Sequence, residues 1–188
     1  MPGSQRMQSI GLAYFLFSWQ WWFRIGFGLL ALVGSTEAFN SKTKWIPAGM
    51  VMITIAIIYL FNFRMIADKM FLQPKTLVFE GVEGNSISGE RIVIGVVNGS
   101  EAKAYPISFM AYHHQVRDTV GGKPLMITYC NVCRTGRVFE PVVNGHPEQF
   151  RLVGMDHFNA MFEDATTRSW WRQANGEAIA GPSKGQML

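Results

Sequence analysis

The residues in this chain best suited to chemistry are Cys130 and Cys133, the only two cysteines among 188 residues, separated by two positions. Thiols at that spacing can hold one metal ion between them, or open and close as a disulfide, without movement of distant backbone. Thiolate and imidazole together suit zinc or copper, and soft cysteine and methionine ligands favour Cu(I). Of the four histidines, His113 is the first candidate to join the pair, with His114, His157 or Met155 to complete a fourth position. Two alternatives use the same sulfurs: thiol–disulfide exchange, and a structural pair bracing a turn as a disulfide or as buried thiols. An attacking cysteine commonly owes its low pKa to a helix N-terminus. Here the pair lies between two strand patterns, which leaves Arg134 as the nearby positive charge.

The placing of His113 follows from a hairpin. Residues 91–97 and 101–107 flank Asn98 and Gly99, residues 113–120 and 123–129 flank Gly121 and Gly122, and residues 138–143 and 148–153 flank Asn144 and Gly145. Each reads as two short strands joined by a tight turn, with the Asn-Gly pairs calling for type I′ geometry. If Gly121 and Gly122 form the middle turn, Val120 pairs with Lys123, and the same register sets His113 opposite Cys130. Facing residues share one side of a sheet, with Cβ atoms roughly 4.5–5.5 Å apart. A slip by one residue would send the two side chains to opposite faces. Three hairpins and no long helical pattern predict a mainly antiparallel β domain over residues 72–188, a meander or small barrel with little helix. A short helix is expected within residues 159–173, with Trp170 and Trp171 packed on the sheet.

The first 71 residues read as a membrane anchor of two spans, at about 10–33 and 46–63. Residues 46–63 carry no charge and show no polar stripe of the kind a globular surface helix needs. Pro47 falls in the first turn, where its missing N–H costs little, and Arg64 and Lys69 follow as a charged stop. The helix is expected to run on through residues 64–74 and to break at Pro74. The earlier segment holds Trp19, Trp21 and Trp22 just before Arg24. An arginine at the middle of a bilayer costs about 2.5–3.5 kcal/mol on insertion scales, so Arg24 must snorkel or find a polar partner. The sharper expectation is that Arg24 and the three tryptophans dock another subunit of a membrane complex.

Apolar residues make up 48% of the chain and charged residues 16%, a balance displaced toward membrane proteins. The formal charge of +4 does not mark a nucleic-acid binder. From residue 64 onward there are 13 Lys and Arg against 12 Asp and Glu, so the excess lies in Arg6, Arg24, Lys42 and Lys44, beside the apolar segments. The loop charges favour neither side of a membrane. Asp156 and His157 adjoin one another, but no nucleophilic serine context accompanies them, and the glycines match no phosphate loop.

Three separated stretches resemble one prokaryotic family. Asp118-Thr119-Val120-Gly121-Gly122, then Thr128-Tyr129-Cys130-Asn131-Val132-Cys133-Arg134-Thr135-Gly136, then Gly176-Glu177-Ala178-Ile179-Ala180-Gly181-Pro182 occur in the order seen in the domain-of-unknown-function family numbered three-one-seven-nine. The resemblance covers roughly residues 111–188. Members look like T-Y-C-P-L-C-x-T and G-E-A-I-x-G-P, so Asn131 and Val132 stand where proline and leucine are usual, and Arg134 where glycine is commoner. The resemblance implies a histidine at the place of His113, a site at the cysteines, and a motif role for Glu177. It implies no established enzymatic activity.

Together these readings describe an integral protein of a prokaryotic cell membrane, its β domain favoured on the extracytoplasmic side. The cysteine and histidine site would serve metal handling or redox chemistry, with copper or zinc as the cofactor, beside other membrane-complex subunits. The alternative is a non-catalytic accessory subunit whose cysteines brace the fold.

Overall fold

The computed structural model describes residues 8–40 and 42–188. Arg6, counted above among the flanking charges, lies outside them. The N-terminal part is helical, with α1 (Ile10–Ser18), α2 (Gln20–Phe39) and α3 (Trp45–Tyr59), which runs on through a π-helical turn, Leu60–Arg64, to a short α4 (Ala67–Met70). The stretch Trp45–Arg64, 20 residues long, is one helix long and apolar enough to cross a membrane. Its isoleucine, valine and methionine side chains are exposed. The helix stops at Met65 and Ile66, well before Pro74, because Ile66 already has extended backbone.

Residues 10–33 do not form the single straight helix expected. The chain breaks at Trp19, and α1 and α2 meet at 65°, so a second crossing exists only if the bent pair is taken as one span. The cause is that α1 has a protein surface to cover. Tyr14 and Phe17 pack edge-on against Trp170 at 5.2 and 5.3 Å between ring centres, and the Tyr14 hydroxyl donates to the Arg168 carbonyl at 3.2 Å. Ile10 joins them over Trp170, Ile179 and Ala180. The bend moves Arg24 to the start of α2. Its guanidinium lies over the Trp21 ring at 4.6 Å and donates to Asn62 Oδ1 in the π-helical turn. The polar partner that Arg24 requires is thus supplied by this chain.

The remainder is built of β1 (Val93–Asn98), β2 (Glu101–Pro106), α5 (Ile107–His113), β3 (Gln115–Val120), β4 (Lys123–Cys130), β5 (Thr135–Phe139), β6 (Val142–Val143), β7 (His146–Pro147), β8 (Phe150–Asp156), β9 (Asn159–Asp164), β10 (Trp170–Arg172) and β11 (Ala178–Ala180). Every pairing is antiparallel: β1–β2, β3–β4–β5, β6–β7 and β8–β9–β10–β11. These are meanders, and no closed barrel forms among the described residues.

Each expected hairpin is present in part. In the first, Asn98 pairs with Glu101, which moves the turn one residue on, to Gly99 and Ser100. Asn98 is thereby free to donate to the Val120 carbonyl at 2.8 Å, while Gly121 N–H donates to Glu101 at 2.5 Å. The tips of the first two hairpins are tied together. Gly121 has φ +55°, and a Cβ there would lie 2.3 Å from the Asn98 oxygen, so only glycine fits. In the third, Asn144 and Gly145 make the expected turn with φ of 52° and 79°, but the ladder is two residue pairs long. The longer strands beside it find other partners, β5 on β4 and β8 on β9.

Residues 159–173 hold β9 and β10, and the helix expected there does not form. All six residues of β9 are buried. A strand covered on both faces has no reason to alternate, which is why its pattern was unreadable. Its two carboxylates are core acceptors: the indole of Trp170 donates to Glu163 at 3.2 Å and that of Trp171 to Asp164 at 2.8 Å.

Candidate functional site

The β3–β4 ladder has the register expected, from Val120 opposite Lys123 to Gln115 opposite Thr128, and there it ends. Residues 107–113 are helical, and His114, at φ 59°, caps α5 and turns the chain into β3. His113 therefore sits on a helix, not opposite Cys130, whose ladder partner is Thr135. The His113 ring lies against Phe109 and Tyr112 at 4.3 and 4.9 Å, and its Nδ1 donates to the Leu72 carbonyl. The proposed third ligand is thus a packing residue that ties α5 to the segment after α4. His114 is likewise engaged, donating from Nδ1 to the Tyr129 carbonyl at 3.0 Å, with its ring on Phe71. Among the described residues, no three of His, Cys, Asp and Glu gather as ligands for one ion.

Two hairpin tips build the site that does form. One is the loop 131–134 between β4 and β5, which starts at buried Cys130, 1% exposed, and presents exposed Cys133. The loop is anchored by the Asn131 amide, which donates to the Ala111 carbonyl at 2.7 Å. Arg134 takes the left-handed conformation, φ 51°, at the place where the resembled family more commonly has glycine. The other tip is the two-residue turn His157-Phe158 between Asp156 and Asn159. Both turn residues have positive φ, 47° and 64°, a conformation that costs of order 1–3 kcal/mol for such residues. The strained turn aims the Phe158 carbonyl at the Cys130 sulfur, 3.6 Å away.

The sulfurs are held in unequal surroundings. Asn159 donates from Nδ2 to the Cys133 sulfur at 3.1 Å. Its amide is fixed by two further groups: Nδ2 also donates to Gln173 Oε1 at 2.9 Å, and Oδ1 accepts from Ala174 N–H at 2.8 Å. Gln173, fully buried, is in turn bound to the Thr128 hydroxyl at 3.1 Å and the Thr135 carbonyl at 2.8 Å. Burial works against ionisation of Cys133, but its interactions with Cys130, Thr135 and Asn159 outweigh it and leave its pKa lowered. The Cys130 thiol moves the other way, its pKa pushed up chiefly by burial, and it donates to the Phe158 carbonyl at 3.6 Å. The expectation that Arg134 would supply the positive field is replaced by this set of neutral donors. The sulfurs are free thiols here, that of Cys130 buried and that of Cys133 exposed.

The other candidates fall around this centre. The His157 ring is partly exposed and bonds Asp156 at 2.5 Å. Asp156 also takes both Nε and Nη2 of Arg172, at 3.0 and 2.7 Å, and Arg172 reaches Glu177 at 3.2 Å. Glu177 closes this chain of ion pairs and accepts from Asn175 at 3.1 Å, a role in fastening β11. Met155 stands exposed on β8. Trp19, Trp21 and Trp22 are exposed around the α1–α2 break, remote from the sulfurs in sequence and in packing. Sequence reasoning missed Asn159 and Gln173. The signal available is their position, one at each end of the stretch 159–173 that the sequence predicts to be helical.

No curated protein and no solved structure shows significant similarity to the chain. The family model described as "Protein of unknown function (DUF3179)" matches residues 75–188, beginning well before the stretch that carries the sequence motifs. That match spans more than half of the sequence and takes in every β-strand and both cysteines: the chain belongs to the DUF3179 family.

Proposed function

We propose that this is a membrane-anchored domain whose Cys130–Cys133 pair undergoes thiol–disulfide exchange. One observation carries the reading: the Cys133 sulfur is exposed and accepts a hydrogen bond from Asn159, while Cys130 lies buried at the start of the same loop. In the forward direction the Cys133 thiolate attacks one sulfur of a substrate disulfide, forming a mixed disulfide and releasing the other substrate sulfur as thiolate. Cys130 then loses its proton and attacks Cys133, which releases the second substrate thiolate and leaves a Cys130–Cys133 disulfide. Two electrons pass from the pair to the substrate, and the reverse sequence oxidises a dithiol. A depressed pKa raises the thiolate fraction of the attacking sulfur, and the protonated Cys130 stays inert until the mixed disulfide forms. The membrane part of the proposal rests on the 20-residue helix Trp45–Arg64, whose apolar side chains are exposed.

The two sulfurs, at the two sides of one short loop, also suit a soft ion such as Cu(I) as a thiolate pair. This second reading uses the same atoms and does not require His113. Purified full-length protein, equilibrated in graded mixtures of reduced and oxidised dithiothreitol and then alkylated, tests the first. The expected result is a reversible loss of both free thiols together at a defined potential. If Cys133 alone becomes blocked and Cys130 remains a thiol at every potential, exchange within the pair is refuted. Retention of the chain in membranes after alkaline carbonate washing checks the anchor.

A further inference from the structure

The helix α1 carries two apolar stripes, and the β domain covers one of them. Ile10, Tyr14 and Phe17 follow one another at helical spacing and lie on Trp170, Ile179 and Ala180. Leu12, Phe15, Leu16 and Trp19 repeat that spacing on the opposite side of the helix. They are 45–60% exposed, and no charged residue occurs from Ile10 to Phe23. A helix that is apolar all round needs cover all round, so the outer stripe calls for a second apolar surface. The stripe does not end at the break after Ser18. Phe15 lies 6.2 Å from both Trp19 and Phe23, and Phe23 stacks on Phe27 at 6.5 Å, which carries the exposed apolar surface from α1 into α2.

The break falls at one particular level of the helical part. Trp21 lies 6.1 Å from Phe63 and Arg24 donates to Asn62 Oδ1, so the start of α2 stands beside the last turn of the apolar helix Trp45–Arg64. Tyr59, 5.8 Å from Phe63, is exposed at the same end with Trp21 and Trp22, and the exposed Arg64 and Lys69 follow. Basic and amphipathic aromatic side chains together mark the headgroup level of a bilayer. At this level α1 departs from the line of α2 by 65°. With α2 upright, α1 lies closer to the plane of the bilayer than to its normal. Two exposed basic residues border its covered stripe: Arg168, whose carbonyl accepts from Tyr14, and Lys184, in the turn that starts at Gly181 beneath the Tyr14 hydroxyl.

We infer that α1 lies in the boundary between headgroups and acyl chains, with Leu12, Phe15, Leu16 and Trp19 in lipid, and that its other face seats the β domain on the membrane surface. The inference rests on the membrane anchoring proposed above. It gives the domain a fixed seat in place of free suspension from Trp45–Arg64. Lipid suits the outer stripe better than a second protein does. Helix contacts inside a membrane favour small residues that let backbones approach, and this stripe consists of large side chains. Its one polar atom is the Trp19 indole nitrogen, which suits the wet edge of the acyl region. Arg168 and Lys184 then face lipid phosphates.

Two measurements on the full-length chain test this. First, Leu12 and Leu16 are replaced in turn by p-benzoylphenylalanine, isolated membranes are illuminated, and the adducts are weighed by mass spectrometry. A phospholipid adduct at both positions is expected, and a protein adduct at either overturns lipid as the occupant. Second, a ketone-bearing amino acid at position 12 or 16 is coupled to a nitroxide, which leaves both cysteines untouched, and the chain is placed in vesicles of phosphatidylethanolamine and phosphatidylglycerol. Both labels should be reached by oxygen far better than by a water-soluble nickel chelate. Leu12 and Leu16 are about 6 Å apart along the helix axis, so labels on a lying helix differ in depth by less than about 3 Å and labels on an upright one by nearly the full separation. A depth difference of that larger size overturns the lying orientation. Labels as open to nickel as one at the exposed Lys123 of the β domain overturn the lipid contact. Release of the chain by alkaline carbonate refutes the anchor, whereas retention with water-exposed labels refutes the seat of α1 alone.

Discussion

Replacing Asn159 with alanine removes the amide N–H that lies 3.1 Å from the Cys133 sulfur. A hydrogen bond to an ionised group contributes about 1.5–3 kcal/mol, and sulfur, a diffuse acceptor, puts this one at the lower end. Since about 1.4 kcal/mol is a factor of ten in an equilibrium constant, the thiolate fraction at acidic pH should fall roughly tenfold. The same change also strips partners from Gln173 Oε1 and Ala174 N–H, bonded at 2.9 and 2.8 Å. Each orphaned buried group costs about 1–3 kcal/mol, so the variant is less stable, and a lower reaction rate by itself would be ambiguous. The ratio of two rates removes the ambiguity. Alkylation of Cys133 by iodoacetamide is measured at pH 6 and at pH 10 in the same variant, with the modified residue mapped by mass spectrometry. At pH 10 the thiol is largely ionised in either protein, so access to the sulfur divides out and the ratio reports thiolate fraction. The expected ratio is about a tenth of that of the unsubstituted protein. An unchanged ratio would refute the view that Asn159 poises Cys133.

Other outcomes follow from the same geometry. Cys130→Ala should trap a stable mixed disulfide on Cys133 when the protein meets an oxidised small thiol, whereas the unsubstituted pair resolves it; equal persistence in non-reducing mass spectra would remove Cys130 from the exchange. Gly181→Ala should lower Tm by roughly 10 °C, taking about 2–3 kcal/mol for a strained, crowded site and about 4 °C per kcal/mol. Gly181 has φ +96°, and a Cβ there would lie 2.6 Å from the Ser169 Cα and 2.9 Å from the Tyr14 hydroxyl. The half-buried carboxylate of Asp118 accepts from the Tyr105 hydroxyl at 2.7 Å and from Lys103 at 3.1 Å. Burial raises its pKa, but these bonds and the Thr119 N–H outweigh it, so the folded value lies below the ordinary one. The stability this network contributes is therefore present above the ordinary aspartate value of about 3.9 and lost as pH falls through the lower folded value. Urea unfolding at pH 5 and pH 3 should show a smaller difference for Asp118→Asn than for the unsubstituted protein. Arg134→Gly should raise stability by up to about 1 kcal/mol by relieving a left-handed arginine, and a fall in Tm would show that its side chain holds the loop.

How much of this was legible in the sequence depends on where the determining interaction is. The β3–β4 register was readable because Gly121 and Gly122 permit one kind of turn and a two-residue turn fixes every pair beyond it. The same extrapolation failed at its far end, at His113. Pairing continues only while extended backbone does, and the segment Ile107–His113 wins more as a helix that buries Met110 completely. The break at Trp19 was unreadable for a related reason. A run of apolar residues gives the same hydropathy whether it faces lipid or Trp170, and the choice is made by a surface 150 residues away in the chain. The two sulfurs were legible as a pair, but what distinguishes them was not. Asn159 donates to Cys133 across a contact between two hairpin tips, and it is oriented by Gln173 from a third strand region. A motif names the two sulfurs, whereas the groups that move their pKa values in opposite directions come together only on folding. The strained His157-Phe158 turn belongs to the same class, since its backbone is held in an unfavourable conformation by the ladder on either side. That strain is maintained where the Phe158 carbonyl and the Asn159 amide reach the two sulfurs, which is where a pair poised for exchange needs fixed partners.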